Sequence, residues 1–344
     1  QALARLNSTP AGALKDMMWY TESFLAGALD EAQLKKELFG DEWRYLELGL
    51  DYLELGALDD ANKLADAGIS LHRQGWELNK LFNPYRMWNF SRKRENPLFY
   101  LLKGAVAQRQ GRTADASKMY MEGDYFEYQV NFNQMEMVPV VQAAAAAGNG
   151  YASFWLGNFY YHNMRPDEAN EAWKVALAKH PGNPQIMRNL AVYNKYQGKD
   201  PVKSRELLRE ALKLNPMDLF IRRELIAVEK DNGAKPDDIL KIYLDAPKEQ
   251  RDSYLYQHGL LQAFKDGGKW QEAADYLSDV DRKYSDDVNS WYYFCIGYAD
   301  WLIDNDKPQE SLNWIAKSST VPSNVSNVNL PPDYFYRHEE YYIS

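Results

Sequence analysis

Between Gly150 and Pro216 the sequence repeats itself, and that repetition limits the fold more than any other property of the chain. In the first copy Leu156, Gly157 and Tyr160 precede Ala169, Trp173, Ala176 and Pro181. This is the order of a tetratricopeptide hairpin of roughly 34 residues, with small residues where two helices cross and Pro after the second helix. In the second copy Leu190 and Ala191 take the places of Leu156 and Gly157, and Ser204, Leu208, Ala211 and Pro216 repeat the rest one residue late. The additional residue falls in the turn Gln197-Gly198-Lys199-Asp200-Pro201. A single hairpin of this kind carries an apolar stripe that it cannot bury alone, so it must stack on neighbours. The expected fold class is therefore all-α: a tetratricopeptide-repeat (TPR-like) α-solenoid of stacked antiparallel helical hairpins with two inserted segments.

The same landmarks divide the rest of the chain, which is expected to form one superhelical domain over 1–344. Helical spacing from Ala11 to Leu38 predicts leading cap helices over 11–41. Leu48, Gly49, Tyr52, Gly56 and Ala61 mark a repeat over 42–68, with Gly56 at the turn. The regular spacing then lapses, giving an insert over 69–96 that ends in the basic cluster Arg92-Lys93-Arg94. A second repeat over 97–123 carries Tyr100, Gly104, Gly111, Ala116 and Tyr120. The insert over 124–149 includes five successive alanines, which are strong helix formers, so a helix is expected over Met135–Ala147, lying against the array. Consecutive repeats fill 150–320, the one over Leu219–Ala246 being degenerate because it lacks small crossing residues. The segment 321–344 is expected to be a loop and a terminal helix.

Chemistry finds little foothold in this sequence. It has no phosphate-binding glycine loop, no Gly-x-Ser-x-Gly elbow and no His-Glu-x-x-His helix. The five histidines are scattered, with no pair at helical ligand spacing, so no metal site and no cofactor are expected. Carboxylate pairs such as Asp59-Asp60 and Asp237-Asp238 sit in first helical turns, where they complement the helix dipole. The single cysteine, Cys295, rules out an internal disulfide and lies in an apolar run where a thiol acts as a small hydrophobe. A net charge of −9 argues against nucleic acid as a partner, and no apolar run is long enough to span a membrane. The chain is accordingly expected to be a non-enzyme.

Binding is the function this pattern favours. In TPR arrays the first helix of each hairpin lines the inner surface. The positions opposite the packing stripe are Tyr151, Phe154, Asn158, Tyr161 and His162, then Arg188, Lys195 and Tyr196, then Arg223 and Lys230, then His258, Gln262 and Lys265. An aromatic shelf running into a cationic strip suits a ligand with a flat apolar part and negative charge, such as a peptide carboxylate, an acidic segment or a sugar. Asn158 and Asn189 match the two asparagines with which one TPR subclass grips a C-terminal carboxylate, but Phe154 stands where that subclass has its first Lys.

The stretch Phe154-Trp155-Leu156-Gly157-Asn158-Phe159-Tyr160-Tyr161, with Glu171-Ala172-Trp173, Arg188-Asn189-Leu190-Ala191 and Asn194-Lys195, resembles the C-terminal repeat region of a bacterial protein family of unknown function. Members of that family also carry an N-terminal β-rich half similar to sugar mutarotases. The resemblance runs from about Glu42 to Gly233 and brings over no catalytic residue. It implies a scaffold domain of a larger, carbohydrate-related bacterial protein; the residues leave the compartment open between bacterial cytoplasm and periplasm. Its concave face would dock a protein or peptide partner, or the β-rich half of the same protein. The alternative is an accessory saccharide-binding region of a carbohydrate-processing enzyme. The start at Gln1 rather than Met is read as the mark of a processed product or an excised piece.

Overall fold

The computed structural model describes residues 16–82, 95–125, 130, 132–251, 254–279 and 288–318. The basic cluster expected near residue 93 and the expected terminal segment 321–344 lie outside these. The described residues are an all-α TPR-type solenoid of antiparallel hairpins, falling into two compact units, Gln1–Gly182 and Asn183–Ser344.

The first unit begins with two short helices, α1 (Met17–Leu25) and α2 (Glu31–Glu37). They are fastened to the hairpin α3 (Glu42–Glu54) and α4 (Leu58–Phe82): the Tyr52 hydroxyl donates to Glu22 Oε1 at 2.5 Å and Ser70 Oγ to Glu31 Oε2 at 2.9 Å. Where the sequence loses its landmarks after residue 68, α4 continues as helix to Phe82. The hairpin α5 (Pro97–Arg109) and α6 (Thr113–Glu122) follows, then the single helix α7 (Met137–Ala146), then the first diagnostic hairpin, α8 (Gly150–His162) and α9 (Pro166–Lys179). Helix α7 lies against α5 and α8, burying Val140, Val141 and Ala144.

In the second unit the hairpin α10 (Pro184–Tyr196) and α11 (Pro201–Leu214) is followed by α12 (Leu219–Asp231) and α13 (Pro236–Leu244). The short α14 (Lys248–Arg251) leads into α15 (Tyr254–Asp266) and α16 (Trp270–Asp279), and α17 (Val288–Asp304) pairs with α18 (Pro308–Ser318).

Three local devices set this pattern. Three first helices start at a buried Asn or Asp whose side chain satisfies free amides: Asn149 accepts from Ala152 N at 2.7 Å, Asn183 from Ile186 N at 3.2 Å and Asp218 from Ile221 N at 3.0 Å. Several helices have Pro in the first turn, where no amide partner is lost. Each turn inside a hairpin places one residue in the left-handed region, Gly in four of them and Met164, Lys199 and Asp306 in others. The small crossing residues Ala169, Ala176, Ala191, Ser204 and Ala211 are all fully buried. In the degenerate repeat the small residue sits on the next helix instead: Gly259 of α15 leaves room for the Tyr243 ring of α13. Cys295 is buried in an apolar cluster with Phe264, Phe294 and Leu302.

Candidate binding surface

The five candidate residues of the first unit all lie on α8, and most of them serve the packing of their own repeat. Asp124 organises the start of that helix, its Oδ1 accepting from Tyr151 N at 3.0 Å while lying 3.0 Å from His180 Nε2. The Tyr151 ring stacks on the His180 imidazole with centroids 4.0 Å apart. Phe154 is buried, Asn158 Oδ1 accepts from the Trp173 indole N–H at 3.1 Å, and the Tyr161 ring tilts against Trp173 at 5.5 Å. His162, by contrast, is exposed at the helix end. The rings of Tyr151 and Tyr161 therefore pack on His180 and Trp173, at the end of and within the partner helix α9. Asn158, half of the sequence's match to a carboxylate clamp, spends its carbonyl on Trp173.

In the second unit the cationic candidates form a regular row with carboxylates that the sequence reading did not select. Arg188 of α10 reaches Glu224 of α12 at 3.2 Å, Lys195 of α10 reaches Asp231 of α12 at 2.9 Å, and Lys230 of α12 approaches Asp266 of α15 at 3.9 Å. All three pairs join residues 36 apart in sequence, one more than the 35 that separate the starts of α10, α12 and α15. This constant offset was the signal available in the sequence for Glu224, Asp231 and Asp266.

The members of the row differ in exposure. The Lys195 side chain is only 10% exposed and its ammonium also lies 4.8 Å from the centre of the Tyr196 ring. Burial disfavours its charge, but the hydrogen bonds to Asp231 and Tyr196 prevail and its pKa is raised. The Arg188 Nε is buried and finds no acceptor among the described residues. Arg223 and Lys230 are exposed, and Gln262 donates to Asp266 at 2.7 Å, which places it beside Lys230. His258 lies on α15, and its side chain is outside the described residues.

Among the described residues no group of three or more His, Cys, Asp or Glu could hold a metal ion, and no helix is long and apolar enough to cross a membrane.

No protein-family model matches the sequence, and no curated protein matches it. Among solved structures, a tetratricopeptide repeat protein from Parabacteroides merdae is similar at 12% identity, covering 88% of this chain and 99% of its own, with a TM-score of 0.30. Pseudomonas aeruginosa pilF is 14% identical over 87% of this chain and 97% of its own, with a TM-score of 0.28. The MamA protein is 15% identical over 66% of this chain and 97% of its own, with a TM-score of 0.34. Likeness at this level adds no weight to the fold, which rests on the hairpins and their crossings.

Proposed function

We propose that the chain is a scaffold without catalysis of its own, and that the first helices of its second unit bind an extended polar segment of a partner protein. The observation that supports this is the row of ion pairs from Arg188 to Asp266, which displays both charge signs at one-repeat intervals beside the exposed Arg223 and Tyr196. Such a row presents fixed donors and acceptors to a chain lying across successive helices, and pairing the charges in advance lowers the cost of ordering them. The resemblance to a bacterial family with a β-rich half names one candidate partner, that half itself. The sugar reading draws no support from the first unit, because Tyr151 and Tyr161 lie against His180 and Trp173.

The experiment is a peptide array tiled from the protein's full reading frame and its genomic neighbours, probed with the labelled chain and with Arg223→Glu. Arg223 is exposed, so the variant should melt like the parent. Peptides that lose binding to it identify the segment and the face together. If every bound peptide is indifferent to Arg223→Glu, the first helices are not the docking surface.

A further inference from the structure

The second helices of the same unit carry a different feature. A cleft of about 690 Å³, within the range of ligand sites, opens between α11, α12 and α13. On α11 the residues Arg205, Arg209 and Lys213 follow one another at four-residue steps and so share one stripe of the helix. With Arg222 and Lys241 the lining holds five cations against the three carboxylates Glu229, Asp238 and Asp245, a local positive excess in a chain whose net charge is −9.

Two of these groups form a fixed floor. Glu229, its side chain 7% exposed, takes Arg209 Nη2 at 2.7 Å and Arg205 Nη1 at 3.4 Å. Arg222 is 2% exposed and donates to three neutral acceptors: Pro216 O at 2.8 Å, Ile242 O at 3.0 Å and Gln250 Oε1 at 3.1 Å. No carboxylate among the described residues is bonded to it directly, although Asp245 of the same lining acts on its charge from nearby. Above this floor Arg209 and Lys213 keep 59% and 73% of their side chains exposed, Lys213 pairing at 2.9 Å with Glu210 of its own helix; Lys241 is also exposed, and Leu212 and Ile242 supply an apolar wall.

We infer that this cleft docks an acidic peptide segment of a partner protein, with one apolar side chain against Leu212 and Ile242 and flanking carboxylates on Arg209, Lys213 and Lys241. The charge excess calls for carboxylates, and the wall calls for something a free anion lacks. The site shares no residue with the first-helix row, so either can fail without the other.

The test is fluorescence anisotropy of a labelled peptide in which Leu is flanked by Glu on both sides, titrated with the full chain. Saturable binding that weakens with salt is expected. The double variant Lys213→Glu/Lys241→Glu should bind about tenfold more weakly or worse, with the melting temperature kept, while Lys118→Ala, an exposed cation on α6 of the first unit, binds like the parent. Should the charge reversals disturb folding, Lys213→Gln/Lys241→Gln gives the same direction with a smaller loss. The inference is overturned if the unaltered chain shows no saturable binding, or if the double variants keep full affinity. It is equally overturned if inorganic phosphate displaces the peptide at equal concentration, or if a peptide with Ser in place of Leu binds as well.

Discussion

The Trp173 indole occupies the space a side chain at residue 157 would need. An ideal Cβ built on Gly157 falls inside contact distance of Trp173 Cδ1 and Nε1. Trp173 cannot retreat, since it is 2% exposed and its N–H is bonded to Asn158. The variant Gly157→Leu should therefore lose about 3 kcal/mol or more to overpacking, measured by denaturant unfolding. A variant as stable as the parent would mean that α8 and α9 do not cross at this glycine.

The αL positions allow a test of opposite sign. Met164 has φ of 60° and its side chain is 87% exposed, so it contributes backbone strain and little packing. Equivalent turns elsewhere use Gly56, Gly111, Gly233 and Gly268. Replacing Met164 by Gly should raise stability by about 0.5–1 kcal/mol, the relief of strain exceeding the added flexibility of the unfolded chain. A lower melting temperature in a thermal scan would show that the Met164 side chain holds something in place.

These two sites also show what the sequence could disclose. Glycine and alanine at crossings leave a written trace because only small residues fit, so Gly157, Ala169 and Ala211 were legible, and the hairpins with them. The left-handed turns were legible where Gly marks them and hidden at Met164 and Lys199, where tertiary packing holds an ordinary residue in an unusual conformation. For the surface, choosing inward positions on first helices selects Arg188, Lys195 and Lys230 as candidates but treats each cation alone. Periodicity within one helix cannot report a partner on the next repeat. The offset of 36 residues carries that information, and it becomes visible only when charges of both signs are compared across repeats. Arg222 was hidden for another reason: a lone Arg beside Arg223 looks like a solvated charge until the fold closes over it.

Alkaline pH should unfold the chain in a defined window. Burial pushes the Tyr120 hydroxyl from its ordinary 10.0 up to about 12, and burial raises Tyr45, Tyr52 and Tyr256 as well. These groups hold their protons in the folded state after the unfolded chain has released them. Their contribution is intact below pH 10.0; that of Tyr120, about 3 kcal/mol, is lost as pH climbs through about 12, and that of the other three at higher pH still. Tyrosinate absorbance should rise first for exposed tyrosines and then in a cooperative step that coincides with loss of helical circular dichroism. Smooth titration of all 25 tyrosines near pH 10 with helicity intact would contradict this burial.

The guanidinium of Arg222 ties three segments together, since Pro216 ends the preceding hairpin, Ile242 lies on α13 and Gln250 on α14. Burial lowers its pKa, yet it retains a fork of donors that each meet an oxygen. Lysine has one charged nitrogen on a flexible stem and cannot reach three acceptors set around a plane. Arg222→Lys should thus leave buried oxygens without donors and cost about 2–4 kcal/mol, whereas the same change at the adjacent, exposed Arg223 should cost under about 0.5 kcal/mol. Denaturant melts of the two variants side by side decide the matter. Equal losses would mean that Arg222 acts only as a charge, and hydrogen exchange at α14 should then remain as slow in the variant as in the parent.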